Sequence, residues 1–180
     1  MRMKHKKYGF TLVELLIVIV IIGILAAISI VSYSGISTSA RNVARVQELK
    51  QWEKLFELYR AQNGEYPAMA NAGYCLGTGF PVGYGNVPRC RSWKSNNEYS
   101  YVESNNASLM TNLKTVGTIP SGNRSNVGGG TVGPYVIYYS TIIDLIMVIE
   151  GSSLNDCPSG TSQDWTNGIN TVICRIRLTK

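Results

Sequence analysis

Apolar and polar positions fall into three successive patterns along this chain. From Phe10 to about Val31 the side chains are nearly all apolar, and the only ionisable one is Glu14. A helix of about 20 such residues is long enough to cross the hydrocarbon core of a bilayer. Ser32 to Ala40 is richer in Ser, Gly and Thr, which are weaker helix formers. From Arg41 to Gln62 apolar residues recur every three or four positions, at Val43, Val46, Leu49, Trp52, Phe56 and Tyr59, with Leu55 and Leu58 widening the stripe. That spacing predicts an amphipathic helix. The charges between them, Arg41, Arg45, Glu48, Lys50, Glu53, Lys54, Glu57 and Arg60, are expected on its solvated face. Asn63-Gly64 is a helix stop. The two halves together predict one helix from about Thr11 to Asn63.

Beyond the helix the pattern turns to short β-prone runs. Glu98–Glu103 reads as a strand, Ala107–Leu113 as one or two helical turns, and Tyr135–Ile149 as two strands turning near Ser140-Thr141, with one long strand as the alternative. Asp144, inside that run, is expected to face solvent. In a last strand, Val172–Leu178, Cys174, Ile176 and Leu178 share one face, and Ile173, Arg175 and Arg177 the other. Ala68–Ser95 and Lys114–Gly133 read as loop. Strands following one long helix predict an α+β fold, with the second half of the helix packed on an antiparallel sheet.

Charge changes the picture once the basic head, residues 1–9, is set apart. Of the 17 Lys and Arg, four (Arg2, Lys4, Lys6 and Lys7) precede Gly9, which leaves 13 against 11 carboxylates. The basic head fits retention on the cytoplasmic side, with the rest of the chain outside. The four cysteines, Cys75, Cys90, Cys157 and Cys174, then lie where disulfides persist. Four cysteines allow three connectivities. Cys75–Cys90 and Cys157–Cys174 are favoured, because each pair brackets a Gly/Asn/Ser-rich loop with little else to hold it. No Cys-x-x-Cys pair occurs and the single histidine, His5, sits in the basic head, which argues against zinc. Without a later histidine no Ser-His or Cys-His pair can form, and no phosphate-cradling glycine loop with its lysine is present. The chain is expected to be no enzyme and to use no cofactor or metal. Arg89, Arg91 and Lys94 beside Trp93 form a candidate polyanion patch, although a solvated loop over a packed tryptophan is the commoner arrangement.

Gly9-Phe10-Thr11-Leu12-Val13-Glu14-Leu15-Leu16 after a Lys-rich head closely resembles the class III signal and N-terminal helix of type IV pilins and pseudopilins. Tyr59 followed by Gly64-Glu65-Tyr66-Pro67 is similar to that family's helix exit. The resemblance implies cleavage between Gly9 and Phe10 by a prepilin peptidase, which also methylates the new Phe10 amine. It implies registration of subunits through Glu14, whose carboxylate meets that amine on a neighbour. It further implies a homo-oligomeric helical filament, an assembly platform protein and an ATPase. The subunit would sit in the cytoplasmic membrane as a single-pass protein before assembly and in an extracellular pilus after it. Roles of this kind are surface motility, adhesion to a host surface or DNA uptake; the alternatives are a pseudopilin of a type II secretion or competence machine, or a membrane-anchored binding domain that never polymerises. Expected divisions are a leader at 1–9, a transmembrane helix at 10–36 and a globular domain at 37–180. Within the last lie the amphipathic helix 37–63, a loop 64–98, and the sheet with its C-terminal disulfide loop, 99–180. The proline that such pilins carry near Val31 is replaced here by valine. After Ile119-Pro120, where some pseudopilins place acidic calcium ligands, residues 121–133 hold Arg124 and no carboxylate, so no calcium site is expected.

Overall fold

The computed structural model describes residues 11–80, 82, 88–95, 98–103, 106–122, 124–127, 130–151, 153, 156–157, 159–166 and 171–180, without the side chains of 31–34, 92–95, 98–103, 125–127, 130–131 and 163–166. Helix α1 runs unbroken from Leu12 to Asn63. Its stop is built as the sequence suggests: Gly64 takes φ +84° and its N–H donates to the Arg60 carbonyl at 2.8 Å. The Asn63 side chain caps the Tyr59 carbonyl at 2.9 Å.

Two compact units divide the chain at Ala40/Arg41. In the first, α1 is the only element among the described residues. Its apolar side chains from Leu12 to Ile30 and at Ile36 stand exposed, and the Ser29 hydroxyl satisfies itself on the Leu25 carbonyl at 2.8 Å.

The second unit holds two sheets. Strands β1 (Gly73–Cys75), β6 (Tyr135–Tyr138), β7 (Ile142–Glu150), β9 (Thr171–Thr179) and β8 (Ser162–Thr166) lie side by side in that order, all antiparallel. The order of the second sheet is β3 (Glu98–Glu103), β2 (Arg89–Ser95), β5 (Gly130–Val132) and β4 (Ser125–Val127). A short helix, α2 (Ala107–Lys114), precedes β4.

Burial on both faces explains why β7 is the most apolar strand. On one face Ile143, Leu145, Met147 and Ile149 join Val46, Leu49, Trp52, Leu55 and Phe56 of α1 and Leu109, Met110 and Leu113 of α2 in the main core. On the other face Ile146 and Val148 meet Tyr135, Phe80, Val132 and the Cys75 and Cys90 sulfurs in a second, smaller cluster. The larger cluster contains Trp52, Phe56 and Leu49, each fully buried, and burying each such side chain is worth about 1.5–3 kcal/mol.

Several expectations are corrected. Arg45 and Glu48, assigned to the solvated face of α1, are buried, while Val43 and Leu58, assigned to the apolar stripe, are exposed. The buried arc of α1 is therefore rotated from the one its apolar spacing marks. Asp144 does not face solvent: it is 1% exposed and ion-paired to Arg175 and Arg177. The regions read as loop contain β1, β2, β4 and β5, and β8 was not anticipated. These are short strands with few β-branched residues, recruited by pairing rather than by propensity.

Candidate assembly site

The start of α1 is closed by two side chains. Thr11 stands at the N-cap position and Glu14 three residues on, the spacing of a capping box. The Glu14 carboxylate accepts the Thr11 backbone N–H and the Thr11 hydroxyl, both at 2.8 Å. The Glu14 N–H donates in turn to the Thr11 hydroxyl oxygen at 3.3 Å. One carboxylate in an otherwise apolar stretch thus has its partners within its own first turn, next to the positive end of the helix dipole. Gly9 and Phe10, the expected cleavage and methylation positions, lie outside the described residues.

Immediately after the exposed apolar stretch, the second unit opens with a polar clamp that links α1 to the end of β7. The Arg41 Nη2 contacts Glu150 Oε2 at 3.0 Å, and the Arg45 Nη2 contacts Glu150 Oε1 at 3.2 Å. Asn42 donates to the Glu150 carbonyl at 2.6 Å and accepts the Glu150 N–H at 3.0 Å. These contacts hold the Glu150 carboxyl below its ordinary range, chiefly through the Arg41 hydrogen bond, with Arg45 adding to it. Sequence reasoning missed this site. Its only signal is Arg41-Asn42 and Arg45 lying one turn apart, and nothing in the sequence ties them to a residue 105 to 109 positions later.

The helix exit is fixed in a similar way. The Tyr66 hydroxyl donates to Glu57 Oε1 at 2.5 Å and accepts from Arg60 Nη1 at 3.1 Å, and the Arg60 guanidinium lies 5.1 Å over the Tyr66 ring. Burial, reinforced by Glu57, pushes the Tyr66 phenol up from its usual range.

Two disulfides close the second unit, Cys75–Cys90 and Cys157–Cys174. The first joins β1 of one sheet to β2 of the other, so it is a covalent tie between sheets. The second fixes the segment before β8 to the inner face of β9. No cluster of three or more metal-ligating side chains occurs among the described residues.

Of the polyanion candidates, Arg89 is buried at 5% exposure. Arg91 is half-buried and lies over the Tyr135 ring, to whose hydroxyl it donates at 3.1 Å. Trp93 and Lys94 lie on the same strand, β2, with side chains outside the described set.

Residues 4–30 match the prokaryotic N-terminal methylation motif. The chain is 36% identical over 67 residues to the type II secretion system core protein G of Escherichia coli (strain K12), covering 37% of this chain and 46% of that protein. The same protein of Aeromonas hydrophila is 34% identical over 64 residues, 36% of this chain and 45% of the relative. That of Vibrio cholerae is 33% identical over 67 residues, 37% and 46% respectively. The chain thus spans less than half the length of the curated relatives it matches. No solved structure matches it. An apolar N-terminal helix carrying a methylation motif, in a chain similar to these proteins, fits membrane anchoring.

Proposed function

We propose that this chain, a bearer of the N-terminal methylation motif, is a pseudopilin-like subunit processed after Gly9, held in the membrane by α1 and assembled into a helical filament through it. The observation that carries this reading is the pairing of a capped carboxylate, Glu14, with an apolar helix whose described side chains stand exposed. Exposed apolar side chains over this length need lipid or other copies of the helix to cover them. In the membrane, lipid covers them; in a filament, neighbouring helices do, so transfer between the two costs little apolar exposure. Glu14 then exchanges its own Thr11 for the Phe10 amine of the adjoining subunit, a trade that favours correctly registered copies. A prepilin peptidase, a platform protein and an ATPase are the partners this cycle needs. Similarity to the type II secretion core proteins supports a secretion-machine role for the filament.

A surface pilus subunit is the second reading. It is favoured by the Cys157–Cys174 closure of the C-terminal region, which ties the segment before β8 to β9, and by the absence of carboxylates from residues 121–133. The deciding measurement is intact mass and N-terminal sequencing of fibres sheared from cells. A processed, methylated chain starting at Phe10 and abundant in sheared fibres supports the pilus. The same processed chain confined to the membrane fraction supports the secretion role, and an uncut chain starting at Met1 removes both.

A further inference from the structure

Four arginines distant in sequence stand on, or stack against residues of, the side of the five-stranded sheet that faces away from α1. The Arg91 guanidinium lies 5.4 Å over the ring of Tyr135, and Arg124 lies 5.2 Å over Phe80. Tyr135 and Phe80 belong to the same outer apolar cluster. Tyr135 is directly opposite Ile146, and Ile146 is opposite Arg175; in the next row Ile137, Asp144 and Arg177 stand abreast. Strand spacing puts Tyr135 about 10 Å from Arg175, and consecutive rows about 7 Å apart. Asp144 accepts Arg177 Nε at 2.8 Å and Nη2 at 2.9 Å, and Arg175 Nη1 at 3.4 Å. That carboxylate is buried, so it orients the two guanidiniums from beneath.

The balance of charge follows from what each arginine touches. Arg91 bonds a phenol and Arg124 a backbone carbonyl, that of Gly79, so neither is neutralised by these contacts. Stacking on aromatic rings orders both side chains before any ligand arrives. All four cations are arginine, whose planar fork suits phosphate oxygens better than a lysine ammonium does. The candidate patch drawn from sequence is thereby redrawn: Arg89 is buried beneath the surface, while Arg175 and Arg177 enter from a strand about 85 residues further on.

We propose that this face binds the phosphodiester backbone of nucleic acid, contacting phosphates and not base edges. Contacts of that kind position a duplex without reading its sequence. The proposal stands apart from the filament reading, because binding is measurable on the full processed chain in detergent micelles with no fibres present.

The test is titration of a labelled, random-sequence DNA duplex against wild-type chain and variants over a range of salt concentrations. Wild-type affinity is expected to fall linearly with salt on logarithmic axes. Arg91→Gln with Arg124→Gln is expected to weaken binding by about tenfold or more and to lower the slope by about 2, one for each phosphate that is no longer neutralised. Lys50→Gln with Lys54→Gln removes the same charge from the exposed side of α1 and is expected to leave the slope unchanged. If the double arginine variant melts early, Arg124→Gln alone carries the test, with a fall in slope of about 1. An equal effect in the lysine control overturns the proposal, since net charge and not this face would then be responsible. So does binding to vesicles of anionic phospholipid without binding to the duplex, or no salt-dependent binding at all.

Discussion

Glu14 and Thr11 satisfy each other across the first turn of α1: two hydrogen bonds run from Thr11 to the carboxylate, and one returns from the Glu14 N–H. The carboxylate expected to register subunits is therefore not idle before assembly. Any neighbour that engages it competes with an internal partner, and Thr11 sets how hard that competition is.

Thr11→Ala should leave cleavage intact while the first turn of α1 frays, with amide protection at Leu15 lowered roughly fivefold, the effect of removing one cap. Thr11→Ser keeps the hydroxyl and should restore protection. Glu14→Gln should be cleaved normally yet give few or no sheared fibres. Normal fibre yield from Glu14→Gln would remove the registration role.

Gly9→Ile should leave the leader in place. Intact mass of the membrane-extracted chain reads this directly: a chain still starting at Met1 is expected, and efficient cleavage of the variant would place the processing point elsewhere.

Glu150 predicts an acid limb in stability. Its carboxyl is held below the ordinary range by Arg41 and Arg45, so its contribution is present above the unfolded value of about 4.3 and is lost as pH falls through the folded value. Denaturant midpoints for wild type should hold from neutral pH down to about pH 4.3 and drop as the pH falls further. Glu150→Gln should be less stable than wild type at pH 7 and should converge on it in acid. Parallel curves would remove the clamp from the account of stability.

Replacing Cys75 and Cys90 by serine opens a loop of 15 residues, worth about 3 kcal/mol by chain entropy. Because this bridge joins the two sheets, hydrogen-exchange protection should fall first in β2 and β5, with β7 and β9 keeping theirs. The corresponding Cys157→Ser and Cys174→Ser chain should instead lose protection around β8. Identical protection maps for the two variants would show that neither bridge acts locally.

Much of this was legible in advance wherever a segment carries a strong period of its own. The unbroken run to Val31, the three-to-four spacing through Phe56, and the Asn63-Gly64 stop place α1 within a residue or two. Tyr135–Ile149 splits at Ser140-Thr141, because that pair interrupts an otherwise apolar stretch. What was not legible depends on distant partners. Arg45 and Glu48 read as surface charges until β7 brings Glu150 to the first and Trp52 is seen 3.4 Å from the second. Asp144 reads as solvent-facing on alternation alone, and only the β7–β9 register reveals the arginines that keep it buried. Strands β4 and β5, three residues each, carry too little propensity to be found without their pairing.

The clamp on Glu150 also has a mechanical meaning. Any displacement of the helix at Arg41 is passed at once into β7 by the Arg41, Asn42 and Arg45 contacts. That strand is hydrogen-bonded on both sides, to β6 and to β9, the latter over its whole length from Ile142 to Glu150. A strand paired along its length cannot shift without breaking many hydrogen bonds at once, so the Glu150 contacts moor the start of this unit's helix to its most heavily bonded strand.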